Sequence, residues 1–475
     1  MVERRKELIP VKGLKRYGTY KLAPSGRVAS QSALGQHHIN TIPYGAADSV
    51  RLRTVMAAHA QQISYEDLYE RWEHGHWRAT GIDFSVDKEQ WAALPQLERD
   101  AALWNYSLFF HGEDIVATDL APFIDAAPLE EQRYFLATQQ VDEARHAVFF
   151  KRFMHEVVGN GDGSIRSSLA ATEPLLTWGF RKTFEKLDEI TGRLRKDRSK
   201  LALARAVFMY HLIVEATLAQ PGQHFIESYL VERDLLPGFR EGMRNIALDE
   251  QRHIAFGVKL LHDLHQQEPR VPEAIADLMR EVMPYSVTLF IPPNWDRRYV
   301  ETFGFTLEDI YEEGARSLEQ KLRAAGMPLE TLPGPIPFPP DLSPRERGEL
   351  GLAMAEAGIL GDGTRPVAPS TPELMALLFD QMRRAVDHRA APGHPVVLQW
   401  DFKDAEPWHL RVDNGATRAE PGVAADADLT LKVSYRDWVD VIGRRADPLR
   451  LMATGRLRPK GSLRTLVLMR RLFPS

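Results

Sequence analysis

Two short segments constrain this chain more than anything else in it. They are Asp142-Glu143-Ala144-Arg145-His146 and Asp249-Glu250-Gln251-Arg252-His253. Each contains Glu-x-x-His. On a helix, residues three apart share a face, so each segment presents a carboxylate and an imidazole together. The surroundings are helical in character. From about residue 50 to 290 the chain is rich in Ala, Leu, Glu, Gln and Arg, with apolar residues three and four apart. A helix bundle can bring two such pairs into its core, and one Glu from each of two further helices then completes a two-metal site. Glu113, after Leu108-Phe109-Phe110, and Glu215, after Leu212-Ile213-Val214, are the candidates. Each precedes its motif by an interval that fits a loop and most of two helices. A lone Glu-x-x-His is common on solvated helices; two matched copies in apolar settings, each with an upstream Glu, are not.

The chemistry of two metals suits this set. Four carboxylates cancel the charge of two divalent ions, and hard oxygen ligands stabilise the oxidised metals formed when O2 is reduced. The chain has no Cys, so only nitrogen and oxygen ligands are available. Asp142 and Asp249 precede the motif carboxylates. Each is expected to accept the second ring N–H of the His in the opposite motif, since ligating imidazoles usually donate to a carboxylate; a plain polar or capping role is the alternative. Lys plus Arg total 60 against 65 Asp plus Glu, a net charge of -5, which gives no footprint for nucleic acid. The opening Met1-Val2-Glu3-Arg4-Arg5-Lys6-Glu7 lacks a signal-like apolar stretch, and no run of about 18 apolar residues stands out, so a cytoplasmic location is expected.

Organisation follows from texture. Residues 1–50 read as an N-terminal arm and 51–327 as the helix bundle. Residues 328–372 read as a Pro/Gly-rich linker, because Leu332-Pro333-Gly334-Pro335-Ile336-Pro337-Phe338-Pro339-Pro340 fits neither helix interior nor central strand. Residues 373–475 form a smaller α+β domain. Helices are expected over 374–386, 435–442 and 463–472, and strands over 396–402, 408–412 and 429–433, with a hairpin turn at Asp413-Asn414-Gly415.

Three stretches go beyond the bare metal motif. They are Tyr69-Glu70-Arg71-Trp72-Glu73, Phe109-Phe110-His111-Gly112-Glu113-Asp114, and the run from Ala137 through Gln139 and His146 to Phe150. With them, residues 45–300 resemble the R2-like ligand-binding oxidases, relatives of the small subunit of class I ribonucleotide reductase. The resemblance implies an all-α ferritin-like bundle with a manganese/iron centre and a bound long-chain fatty acid. Glu113, Glu143 and His146 would hold manganese. Glu215, Glu250 and His253 would hold iron, with Glu143 bridging; Fe/Fe is the other pairing, since ligand chemistry alone does not choose. It also implies an ether crosslink between Val116 and Tyr210. Val116 follows Glu113 by three residues and shares its face. Tyr210 precedes Glu215 by five, about 140° around an ideal helix, so a distorted turn is needed for it to reach the same centre. The reductase subunit usually keeps a radical Tyr four residues after the first motif His. Here that position is Phe150, which disfavours a radical-storing subunit.

The last hundred residues resemble the sterol carrier protein 2 family through Trp408-His409-Leu410-Arg411-Val412, Ala427-Asp428-Leu429-Thr430-Leu431, Ser434 with Asp437-Trp438, and Thr454-Gly455-Arg456-Leu457. That implies a lipid tunnel, with Leu449 to Met452 and Leu463 to Phe473 as candidate lining. Arg456, Arg458, Lys460, Arg464, Arg470 and Arg471 make the end basic, so a peripheral contact with anionic membrane is considered beside a merely solvated face. The resulting expectation is an O2-activating oxidase that performs a two-electron oxidation of a bound lipid, as a homodimer with an unidentified electron donor. The alternatives are a non-enzymatic metal- and lipid-binding protein and another di-metal oxygenase or reductase subunit.

Overall fold

The computed structural model describes residues 63–337, 339–413 and 415–474. The N-terminal arm lies outside them. Helix α1, Tyr65–His74, opens on a reciprocal cap. Ser64 Oγ accepts from the Asp67 amide at 2.9 Å and the Asp67 carboxylate accepts from the Ser64 amide at 3.0 Å. The bundle is then built from α2 (Gln96–Asp119), α3 (Glu130–Phe153), α4 (Trp178–Leu194), α5 (Lys200–Arg233), α6 (Pro237–Gln267), α7 (Val271–Ser286) and α8 (Leu307–Ala324). α3 begins beside Pro128, with Glu130 and Glu131 in its first turn where acids favour the helix dipole. A wider-wound turn, Met154–Val158, follows it and stops at Gly159, whose φ of +81° suits glycine.

Leu136, Leu187, Phe208, Leu212, Phe256 and Leu260 are fully buried where these helices meet. Each such side chain contributes about 1.5–3 kcal/mol. By length and composition α5 is apolar enough to cross a membrane, but most of its apolar window is buried inside the protein. The middle of α5, Phe208–Ala219, is a π-helix with i→i+5 hydrogen bonding.

The segment read as linker is not extended throughout. Its middle is helix α9, Pro344–Glu356, which packs along α8 with Leu352 and Ala355 buried. Ser343 caps it, Glu346 returns to the Ser343 amide, and Pro344 sits at the first helical position, where a missing N–H is harmless. Local helix-start chemistry thus overrides the breaker-rich flanks.

The C-terminal domain starts with α10, Pro372–Arg384. Its sheet is β1 (Val396–Phe402), β2 (Trp408–Asp413), β3 (Ala416–Pro421), β4 (Leu429–Val433) and β5 (Arg458–Gly461), in the order β3-β2-β1-β4-β5. β1 and β4 run parallel, with Trp400 opposite Leu431, and the other pairs are antiparallel. Helices α11 (Tyr435–Ile442), α12 (Pro448–Ala453) and α13 (Leu463–Leu472) complete it. The core is aromatic: Phe379 stacks on Trp408 at 5.0 Å, and Trp400 meets Trp438 at 5.4 Å. The expected tunnel lining divides. Leu451 and Leu472 are buried, whereas Leu449, Leu463 and Val467 are 53%, 75% and 55% exposed. Those three are the solvent-exposed part of the expected lining.

Candidate metal centre

Four helices deliver six polar side chains to one point. Glu113 comes from α2, Glu143 and His146 from α3, Glu215 from the π-wound part of α5, and Glu250 and His253 from α6. All six are buried, both imidazoles completely. His146 Nδ1 lies 3.2 Å from Glu113, 3.3 Å from Glu143 and 3.6 Å from Glu250. His253 Nδ1 lies 3.2 Å from Glu143 and 3.8 Å from both Glu215 and Glu250. Two overlapping ligand groups result. One is Glu113, Glu143, His146 and Glu250; the other is Glu143, Glu215 and His253. Glu143 belongs to both. Glu250 closes with the His146 group, though its two oxygens face the two imidazoles.

The second ring nitrogens cross over. His146 Nε2 meets Asp249 at 3.1 Å, and His253 Nε2 meets Asp142 at 3.1 Å. Arg145 and Arg252 each bind both aspartates. Trp72 Nε1 donates to Asp142 at 2.9 Å and Trp77 Nε1 to Asp249 at 2.8 Å. Each aspartate therefore accepts from a Trp, two Arg and the opposite His. This turns both Nδ1 atoms toward the carboxylates, where each would ligate a metal once its proton is displaced.

Protonation follows from burial. It lifts the Glu113 carboxyl to about 8. Burial and the charge of Glu250 push Glu215 well up, and burial and Glu143 raise Glu250. Burial would also raise Glu143, but the charges of His253 and His146 beside it hold it well below the carboxylate range. Burial would lower both imidazoles, yet Glu113 lifts His146 and Glu143 lifts His253 well above normal. The cluster gathers protons because it concentrates negative charge without water, and cations would displace those protons. Glu215 Oε2, Glu250 Oε2 and His253 Nδ1 are buried without a hydrogen-bond partner. Each such orphan costs about 1–3 kcal/mol. All three lie within the ligand set, so the residues fit two metal ions.

An apolar cavity opens on this cluster. Glu113, Glu143, Glu215 and Glu250 form its polar end, and Leu108, Phe109, Phe180, Phe184, Leu218 and Phe290 line the rest. Val116 and Tyr210 line it too. Tyr210 Oη donates to Glu143 at 2.6 Å. The i→i+5 winding explains its reach, since it brings positions five apart onto one face. Phe150 is fully buried and stacks with Phe109 at 6.2 Å.

Several contributors escaped sequence reasoning. Gln139 Nε2 donates to Glu215 at 2.8 Å and Tyr210 at 3.2 Å, while its Oε1 meets His211 at 3.2 Å. Nothing in its spacing marks it beyond the one turn separating it from Glu143. Arg145 and Arg252 did carry a signal: Arg precedes the motif His in both copies.

Comparison with known proteins agrees with this layout. Residues 58–287 match the family model described as ribonucleotide reductase, small chain, and 378–474 match the SCP-2 sterol transfer family. Similar solved structures include variants of the R2-like ligand-binding oxidase with a reconstituted Mn/Fe cofactor. One, reconstituted anaerobically, is 26% identical over 55% of this chain and 94% of its own, with a TM-score of 0.49. Another, reconstituted aerobically, is 26% identical over 57% of this chain and 98% of its own, also at 0.49. The chain thus joins a helical bundle similar to the ribonucleotide reductase small chain to a domain similar to the SCP-2 family.

Proposed function

We propose that this chain is a dinuclear metal oxidase that activates O2 for two-electron oxidation of a bound long-chain lipid or fatty acid. The carrying observation is the meeting of six buried ligand side chains with the end of an apolar cavity. Glu113, Glu143 and His146 would hold manganese, and Glu215, Glu250 and His253 iron, or iron would fill both positions. The metals would supply the binding and reduction of O2. The chain's own residues do the rest. The crossed aspartates orient the imidazoles, Gln139 holds Glu215 and Tyr210, and the phenylalanine walls exclude water. A lipid fits because its chain has much area to bury and few polar groups to satisfy. Its carboxylate would sit at the polar end.

Val116 and Tyr210 both line this cavity, and Tyr210 Oη donates to Glu143, which supports a crosslink between them. Burial keeps the Tyr210 phenol protonated, so its hydrogen is available. An ether link would form with loss of one C–H hydrogen from Val116 and the O–H hydrogen of Tyr210. O2 would take up the two electrons and two protons. A digest of the aerobically metal-loaded protein should give a linked peptide two hydrogens lighter than its parts. Unlinked peptides alone would remove the crosslink. Anomalous diffraction at the manganese and iron edges tests the metal assignment, and multiple turnover of an added lipid with a reductant separates an oxidase from a binding protein. Phe150, lacking a phenol, speaks against radical storage as in a reductase subunit.

A further inference from the structure

Helix α7 contains Pro284 in its last turn. Proline has no N–H, so the Arg280 carbonyl loses its normal i−4 donor. The replacement comes from the other domain. Arg444 Nη2 donates to the Arg280 carbonyl at 3.0 Å, and Nη1 lies 3.5 Å from that of Glu281. Arg444 follows α11 with φ of +58°, a conformation disfavoured outside glycine. Around this contact the two domains also meet through Arg389 and Glu273 at 3.1 Å. Arg280 itself donates to the Pro335 carbonyl at 2.7 Å.

Just beyond the Pro284 break the chain turns through Thr288 to Leu289 and Phe290. Both line the cavity that opens on the metal cluster. Phe290 also lines a second, aromatic cavity beside Trp104, Phe225 and Tyr299. The turn is pinned from the bundle side. Thr177 Oγ1 donates to the Leu289 carbonyl at 2.9 Å, and Tyr311 Oη donates to that of Val287. Gly179 packs so closely that a Cβ there would lie 2.5 Å from the Leu289 nitrogen. Among the described residues the C-terminal-domain contact at the carbonyl that Pro284 leaves open is Arg444, while Arg389 meets α7 near its other end.

We propose that Arg444 is a positioning residue through which the SCP-2-like domain sets the Leu289–Phe290 wall of the metal-side cavity, so that domain docking governs passage of a chain ligand past Phe290. The ligand half of this inference rests on the lipid reading above. The Arg444 hold on α7 does not. Two measurements on the full chain separate them. The first is amide hydrogen exchange of residues 285–291 by mass spectrometry. Arg444→Ala should speed it at least ten-fold, Arg444→Lys should restore part of the protection, and Arg389→Ala, which removes the neighbouring bridge, should leave it within two-fold. Unchanged exchange in Arg444→Ala, or an equal rise in Arg389→Ala, would overturn the hold. The second is the release rate of a fluorescent fatty acid, expected to rise at least five-fold in Arg444→Ala alone. Faster exchange with an unaltered release rate would overturn the link to the cavity. If the unaltered chain binds no fatty acid, the lipid reading and the ligand half fall together, and the exchange result still decides the Arg444 hold.

Discussion

Replacing Asp142 by Asn should loosen one side of the metal centre and not the other. Asp142 takes hydrogen bonds from Trp72, Arg145, Arg252 and His253. An amide keeps one acceptor oxygen but turns an NH2 group toward donors on Arg252 or His253. His253 then loses the group that fixes its ring and its tautomer. Disturbing such an outer partner typically lowers metal affinity 10–100-fold, or about 1.4–2.7 kcal/mol. The loss should fall on the ion held by Glu215 and His253. Asp249→Asn should do the same to the His146 side, because the two aspartates serve opposite motifs. Both variants also unbalance the same buried quartet of two Asp and two Arg. Breaking such pairs costs about 3–5 kcal/mol, so both should lower Tm similarly. The assay is metal content after dialysis against graded chelator, with the occupancy of each position read by anomalous diffraction. Equal loss from both positions in either variant, or none, would refute the argument.

Other outcomes follow from the same geometry. Gly222→Leu should weaken binding of a fluorescent fatty acid at least ten-fold while leaving metal content unchanged. A Cβ there would already lie 2.9 Å from the Phe109 ring, which lines the cavity. Chelating the metals should lower Tm, since a ligand at 100 times its Kd stabilises the folded state by about 2.7 kcal/mol; an unchanged Tm would mean that no ion is held. Acid should destabilise the chain through two buried histidines outside the ligand set, His111 and His211. Burial holds His111 down to about 4 and His211 to about 3, so the folded state keeps them neutral. Below about 6.5 the unfolded chain takes up protons that the folded chain refuses. Their contribution to stability should therefore be full above that pH and be lost as pH drops toward 4, with His111→Gln flattening the decline in a Tm series.

How much the sequence disclosed depended on periodicity. The convergence of Glu143, His146, Glu250 and His253 was readable because three-residue spacing on a helix fixes a shared face. Glu113 and Glu215 were readable from charge in apolar surroundings. The placement of Tyr210 was not, because winding in the middle of α5 is a cooperative backbone choice with no residue that announces it. Gln139, Trp72 and Trp77 were missed as parts of the site for another reason: their roles depend on which helices abut, and one sequence does not say. In the C-terminal domain, helix and strand positions followed alternation and turn chemistry closely. The direction of α12 and α13 side chains did not, since Leu449, Leu463 and Val467 look like core by composition and lie on the outside. Strand β5, Arg458-Pro459-Lys460-Gly461, escaped because a fully exposed edge has no apolar alternation to betray it.

The π-wound stretch makes α5 a helix with two phases. Within it Tyr210 is aimed at Glu143 and, five residues on, Glu215 is aimed at His253. An ordinary α-helix of the same sequence would satisfy one orientation and swing the other by more than a right angle. Regular winding over the same residues would leave the bundle its shape and turn one of the two side chains away from the centre. The winding of that short stretch is therefore a quantity the protein must keep, however freely its apolar side chains are exchanged.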